Sequence, residues 1–403
     1  MRMRFALLLI VGGLITAARA AAGEPVRVTD FGDNPGNLEM WTYSPDRAPD
    51  HAPLVVVLHG CTQQATSLAP GGFDELADEL GFHLLYPRQK TENNPIGCFN
   101  WAGEYGDPAN LIRGEGENQS VASMVEWMIA SRSIDRDRVF VIGFSAGGGF
   151  TAVLLATWPD LFAAGAIDAG VPYRCATDQQ SAFDCMNLAT HPDRKKSPRA
   201  WGDLVRGAYR QWEGPWPRVM IMHGTADTTV QPDAADELVE QWTDVHGLGL
   251  EPDQMDEVAG HHRARFLAHG DVAVERWRIE GMGHAFPIGP DDPDHGCGQP
   301  AAYFEDRDLC GAYRAIEFFG LVGGGDPGDG GGADAGAGGD DGGVGASGSG
   351  DGGGGCRVAG PAGESSYVLA LALLAAAMSV ARRRRATRST LPAPVRGSSG
   401  TSS

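Results

Sequence analysis

Basic residues are scarce in this 403-residue chain: 32 Lys and Arg stand against 52 Asp and Glu, for a net charge of −20. The basic cluster in its middle is short, Asp193-Arg194-Lys195-Lys196-Ser197-Pro198-Arg199. That is too little to build the positive face a nucleic-acid partner requires, and such a partner is excluded. Metal-ligand spacing is missing as well. The pair His261-His262 has no acidic or cysteine residues at the intervals a metal centre needs, so no metal is expected. Part of the acidity is local: segment 323–355 carries six aspartates and no basic residue. It has no regular nonapeptide period of the kind that marks a calcium-binding repeat. With too little apolar surface to fold, it reads as a flexible linker.

What is present suits one large α/β domain of about 250–300 residues with extra segments. The apolar fraction of 42% supplies a real core. At the N-terminus two arginines precede an apolar run, and Ala18-Arg19-Ala20 fits a small-x-small cleavage pattern. Residues 1–22 therefore read as a secretory signal peptide, and less well as a first membrane anchor. Export makes the cysteines interpretable. Cys61, Cys98, Cys175, Cys185, Cys297 and Cys310 form an even set in the globular part, 23–322, as expected of disulfides in an oxidising compartment. Short separations favour Cys175–Cys185 and Cys297–Cys310, leaving Cys61–Cys98; the alternative is that some are free, buried small residues.

After the linker come Cys356, the apolar run Tyr367 to Ala381, and Arg382 to Arg385. The run is short for a transmembrane helix, which takes roughly 17–25 residues. It follows a linker and is stopped by arginines, so it has no core to enter, and the positive cluster would keep that end cytoplasmic. The layout of 356–385 resembles the C-terminal sorting tags of myxobacterial surface proteins, which implies that Cys356 is a processing or lipidation point. The further tail, 386–403, departs from that pattern. A secreted protein held at the cell surface, its tail engaging membrane or sorting machinery, is the expectation.

Within the globular part strands and helices alternate. Pro53 to Gly60 is a continuous apolar run ending in glycine, the mark of a buried parallel strand. Val121, Met124, Val125 and Met128 are spaced as on a helix. Arg138 to Phe144 reads as a strand and Ala146 to Trp158 as a helix. Two further strands, around Ala166 and Met220, precede a helix near Asp233 to Val245. This alternation predicts a mostly parallel sheet with helices on both faces, whose ligands sit at the carboxyl ends of the strands.

Against that frame, Gly143-Phe144-Ser145-Ala146-Gly147 places a serine between glycines where a strand becomes a helix. A nucleophilic serine needs a base, a carboxylate to orient it, and donors for an oxyanion. Downstream, Asp227 follows one predicted strand and His284 another, so the α/β-hydrolase order of serine, acid, histidine is met. The amides of Ala146 and of Cys61 or Thr62 are the candidate oxyanion donors. Asp168 is the second candidate for the acid. His59 reads as a structural histidine that holds its turn. Trp101, Trp158, Trp212 and Trp216 are candidates for an apolar or sugar-stacking platform, although helix packing is the plainer reading for Trp158 and Trp212.

The stretches LHGCTQQ, GCFNW, RGEGENQSVASMV, GFSAGG, ATWPDLFAAG, HGTADTTV and GMGHAF resemble the polyhydroxybutyrate-depolymerase family of secreted esterases, related to feruloyl and acetylxylan esterases. The similarity runs from about Pro53 to Leu321. It implies an α/β-hydrolase fold, a triad of Ser145, Asp227 and His284, a substrate wall near Trp101, and no cofactor. Phe99 stands where the family's C-W-N-W stretch has its first tryptophan. Two substrate classes follow, a polyester or an esterified plant polysaccharide. The absence of a lid-sized insertion suits chain-like substrates of either kind. A competing class is a surface-displayed binding protein with a vestigial triad.

Overall fold

The structure is a computed structural model that describes residues 23–103 and 108–323. The expected signal peptide, linker and C-terminal anchor lie outside the described residues.

The strands are β1 (Val26–Val28), β2 (Glu39–Tyr43), β3 (Leu54–Leu58), β4 (His83–Arg88), β5 (Val139–Phe144), β6 (Ala164–Asp168), β7 (Arg218–Gly224), β8 (Gln254–Val258), β9 (His261–Ala268), β10 (Asp271–Ile279), β11 (Phe286–Ile288) and β12 (Phe304–Asp306). The helices are α1 (Phe73–Leu80), α2 (Gly116–Arg132), α3 (Ala146–Thr157), α4 (Gln179–Met186), α5 (Pro198–Arg206), α6 (Asp233–Val245) and α7 (Gly311–Phe318). The first ten strands form one sheet in the order β1-β2-β4-β3-β5-β6-β7-β10-β9-β8. From β4 through β10 the neighbours run parallel, while both margins are antiparallel.

Strand β3 shows why the centre is parallel and buried. All five of its residues are inaccessible to water. Leu54, Val56 and Leu58 enter the core shared with α2, α3 and α6, whereas Val55 and Val57 enter the core shared with α1 and α7. Period-two alternation thus feeds two apolar layers, and burying five such side chains contributes on the order of 10 kcal/mol before entropy is counted. Helix α3 is buried along its whole length; its residues are apolar apart from Thr151 and Thr157, whose hydroxyls donate to the Gly147 and Val153 carbonyls one turn back.

Strand β10 ends at Ile279, as the sequence predicts, but the antiparallel strands β8 and β9 beyond it do not follow from the pattern. Gln254–Val258 is largely exposed, with Met255 72% accessible, so it carries no buried alternation. Its turns did leave a signal. Ala259-Gly260 and His269-Gly270 both adopt paired positive φ, the two-residue hairpin geometry that twists with its strands. Three disulfides are present: Cys175–Cys185 and Cys297–Cys310, the pairs that short separation favoured, and Cys61–Cys98, the pair left over. Among the described residues no helix is long and apolar enough to cross a membrane.

Candidate active site

Ser145 sits between β5 and α3 with φ 57° and ψ −118°, a conformation that costs a residue with a side chain about 1–3 kcal/mol. Its amide donates to the Asp168 carbonyl on β6 at 2.9 Å, which holds the turn. The neighbouring glycines are explained by crowding. A Cβ on Gly143 would press into the Gly147 carbonyl, and one on Gly147 into the Leu58 carbonyl of β3. The turn closes because both positions lack a side chain.

His284 lies in the loop after β10. Its Nε2 is 2.8 Å from Ser145 Oγ and its Nδ1 is 2.7 Å from Asp227 Oδ2. Asp227, in the turn after β7, is buried, and its Oδ1 accepts the amides of Thr229 (2.8 Å) and Val230 (2.9 Å). Burial by itself would push this carboxyl up. The hydrogen bonds from His223 and His284 outweigh it and hold Asp227 well below the usual carboxylate range. With Asp227 ionised, Nδ1 of His284 carries the proton and Nε2 is left to accept the serine hydroxyl. The ring of Phe144 tilts against the His284 ring at 5.0 Å.

The loop His59 to Gln64 covers the serine. Gly60 lies so close that a Cβ there would meet Ser145 Cβ at 3.3 Å. His59 is buried; Nε2 accepts the Gln89 amide (3.1 Å), so Nδ1 is protonated and donates to the Gly60 carbonyl (2.7 Å). Burial pulls its pKa down to about 4, which keeps it neutral and structural. Of the two oxyanion candidates in this loop, Thr62 is corrected. Its amide is already donated to the Ile96 carbonyl at 2.7 Å. The Cys61 amide has no such partner among the described residues, and Ala146, first residue of α3, has no intrahelical carbonyl to bond.

Beneath this loop lies a support that sequence reasoning missed. Glu117 of α2 is buried and accepts from the Gln89 side chain (2.5 Å), the Asn100 side chain (2.5 Å) and the Asn100 amide (2.8 Å). Gln89 also donates to the Cys98 carbonyl at 3.1 Å. One buried carboxylate therefore ties together the loop of Asn100, the half-disulfide Cys98 and, through Gln89, His59. The stretch RGEGENQ contained it, but an acidic residue near a helix start reads as a surface cap.

Asp168 is not brought into the relay. It ends β6, is fully buried, and has no hydrogen-bond partner at either carboxyl oxygen among the described residues. Trp101 packs against Gly149 of α3 and is 8% exposed. Trp158 and Trp212 do not join it. Trp158 donates to Asn118 at 2.9 Å under the Arg113 guanidinium, Trp212 stacks on Tyr209, and Trp216 packs at the core edge. The rings of His261 bond the Arg307 carbonyl and the Glu280 amide. No cluster of metal-ligating side chains occurs among the described residues.

Residues 40–262 match the family described as esterase PHB depolymerase. The chain is 42% identical to poly(3-hydroxyalkanoate) depolymerase C of Paucimonas lemoignei, over 80% of this chain and 76% of that one. It is 37% identical to feruloyl esterase B of Thermothelomyces thermophilus, over 60% of this chain and 81% of the relative. Its fold is similar to that of the acetyl xylan esterase from Aspergillus awamori, with a TM-score of 0.60 and 27% identity, covering 74% of this chain and all (100%) of the other.

Proposed function

This chain belongs to the esterase PHB depolymerase family, and from that premise we propose that it cleaves polyesters of 3-hydroxyalkanoic acids with Ser145, Asp227 and His284 as its catalytic triad. It is a serine esterase of α/β-hydrolase fold. The observation that carries the assignment of residues is the continuous relay, 2.7 Å from Asp227 to His284 and 2.8 Å from His284 to Ser145.

In the proposed reaction Ser145 Oγ attacks the ester carbonyl carbon while His284 Nε2 takes its proton. The tetrahedral oxyanion is received by the amides of Ala146 and Cys61, each worth about 10²–10³ in rate. His284 then returns the proton to the departing alkoxide, leaving an acyl group on Ser145. Water, activated by the same imidazole, releases the acid. Trp101 borders the acyl site.

Polyester is favoured over decorated polysaccharide because the depolymerase relative is both more similar and matched over more of this chain than the feruloyl esterase. The polysaccharide reading draws its support from the acetyl xylan esterase fold, covered over its full length. Three disulfides fit an exported protein. Export through residues 1–22 and surface retention through residues 356–385 are part of the proposal.

The test is acid release from poly(3-hydroxybutyrate) particles, acetylated xylan and methyl ferulate, with Ser145→Ala as control. We expect serine-dependent release from the polyester, and labelling of Ser145 by a fluorophosphonate. Preference for xylan or ferulate esters would reassign the substrate. Release that survives Ser145→Ala would reject the triad.

A further inference from the structure

Tyr303 takes no part in the relay, yet it stands beside it in a costly conformation. It precedes β12 with φ 67°, in the left-handed region that disfavours side chains. Its carbonyl accepts the Phe286 amide at 2.8 Å. Its ring lies 6.3 Å from that of Phe144, which itself leans on His284. Its hydroxyl is 3.3 Å from Thr62 Oγ1 on an exposed face. Thr62 is also left-handed, at φ 64°, and follows Cys61. Two strained residues 241 positions apart in sequence thus meet beside the ring of Phe144, which leans on the relay histidine. Disulfides hold both approaches: Cys61–Cys98 begins one residue before Thr62, and Cys297–Cys310 brackets Tyr303.

We propose that Tyr303 and Thr62 form a hydroxyl wall that reads a second oxygen of the acyl chain, the β-hydroxyl or the next ester oxygen of a poly(hydroxyacid). Two hydroxyls joined by one hydrogen bond use one of their two protons. The other O–H remains as a donor, with lone pairs beside it, facing solvent where an extended acyl chain would lie. An acetyl group has no oxygen at that reach. The wall rests on the polyester reading and deepens it, since it supplies a reason for the enzyme to prefer hydroxyacyl over plain acyl groups.

The experiment compares p-nitrophenyl 3-hydroxybutyrate with p-nitrophenyl butyrate, which differ by that one hydroxyl, on the full chain and on Tyr303→Phe and Thr62→Val. Wild type should favour the hydroxyacyl ester. Each variant should lower the ratio of kcat/KM values, hydroxyacyl over plain, by about five- to tenfold, the weight of one hydrogen bond. Fluorophosphonate labelling of Ser145 verifies that each variant retains a folded site. Equal losses on both esters, or no loss on either, would overturn the wall while leaving the esterase assignment intact. Hydrolysis of neither ester by wild type would overturn the wall and the proposed function together.

Discussion

Asp168 and Asp227 stand at the carboxyl ends of neighbouring strands, β6 and β7, and both are buried. Their surroundings differ in hydrogen-bond donors. Asp227 receives two amides and an imidazole within 2.9 Å, and its carboxyl is held ionised. Among the described residues Asp168 receives none at either oxygen; the adjacent Ala169 amide is spent on the Met222 carbonyl at 3.0 Å. Burial first, and then the charge of Asp227, push Asp168 well above the usual carboxylate range. Similar burial therefore leaves the two carboxyls shifted in opposite directions, and the donors decide which aspartate can orient a histidine.

The largest way to break this contrast is Asp227→Asn. The Thr229 and Val230 amides would hold the new amide oxygen where Oδ1 now lies. Its NH₂ would then face His284 Nδ1 and force the proton onto Nε2, the tautomer that cannot accept from Ser145. We expect kcat to fall about 10³–10⁴-fold with little change in fluorophosphonate-independent measures such as the melting temperature. A loss under tenfold would mean that Asp168 had taken over as the acid.

His59 sharpens the contrast with a group of the opposite charge type. It too is buried, but its two ring nitrogens are matched to one donor and one acceptor, which suits the neutral form. Its folded pKa, pulled to about 4, lies below the unfolded value of 6.5. The unfolded chain therefore binds a proton that the folded one refuses between those values. Stability from this group is complete above pH 6.5 and is lost as pH falls toward 4, by roughly 3 kcal/mol. Urea unfolding across that range should show the slope in wild type and a much flatter one in His59→Gln. An unchanged slope would assign the acid sensitivity elsewhere.

How much of this was legible in the sequence depended on whether a residue's role is local. Ser145, Asp227 and His284 each follow a strand and occupy a turn of recognisable composition, so their placement could be read from short windows. The central parallel strands were legible for the same reason, as continuous apolar runs. Thr62 could not be separated from Cys61, because the expected Cys61–Cys98 bridge brings the loop of Ile96 near both without saying which amide its carbonyl claims. Glu117 and Tyr303 were hidden likewise, since their partners lie far along the chain. Strand β8 escaped because an exposed edge strand has no buried face to impose alternation. Asp168 was visible as a candidate, but only the count of donors around it separates it from Asp227.

That count yields the smallest and most discriminating prediction, Asp168→Asn. A carboxyl whose folded pKa is raised contributes stability that is complete below its unfolded value and is lost as pH rises toward the folded value. An asparagine of the same shape has no proton to lose, so it removes that slope. At pH 4 the variant should be the less stable of the two, because the asparagine NH₂ buries a further N–H donor with no partner, a loss of about 1–3 kcal/mol. As pH rises, the difference should move steadily in favour of the variant, because wild type alone faces the cost of a buried charge beside Asp227. Catalysis should change less than about threefold, since no donor links this side chain to His284. A variant that lost activity in step with Asp227→Asn would show that the two aspartates act as a coupled pair, and the contrast between the strand ends would fail.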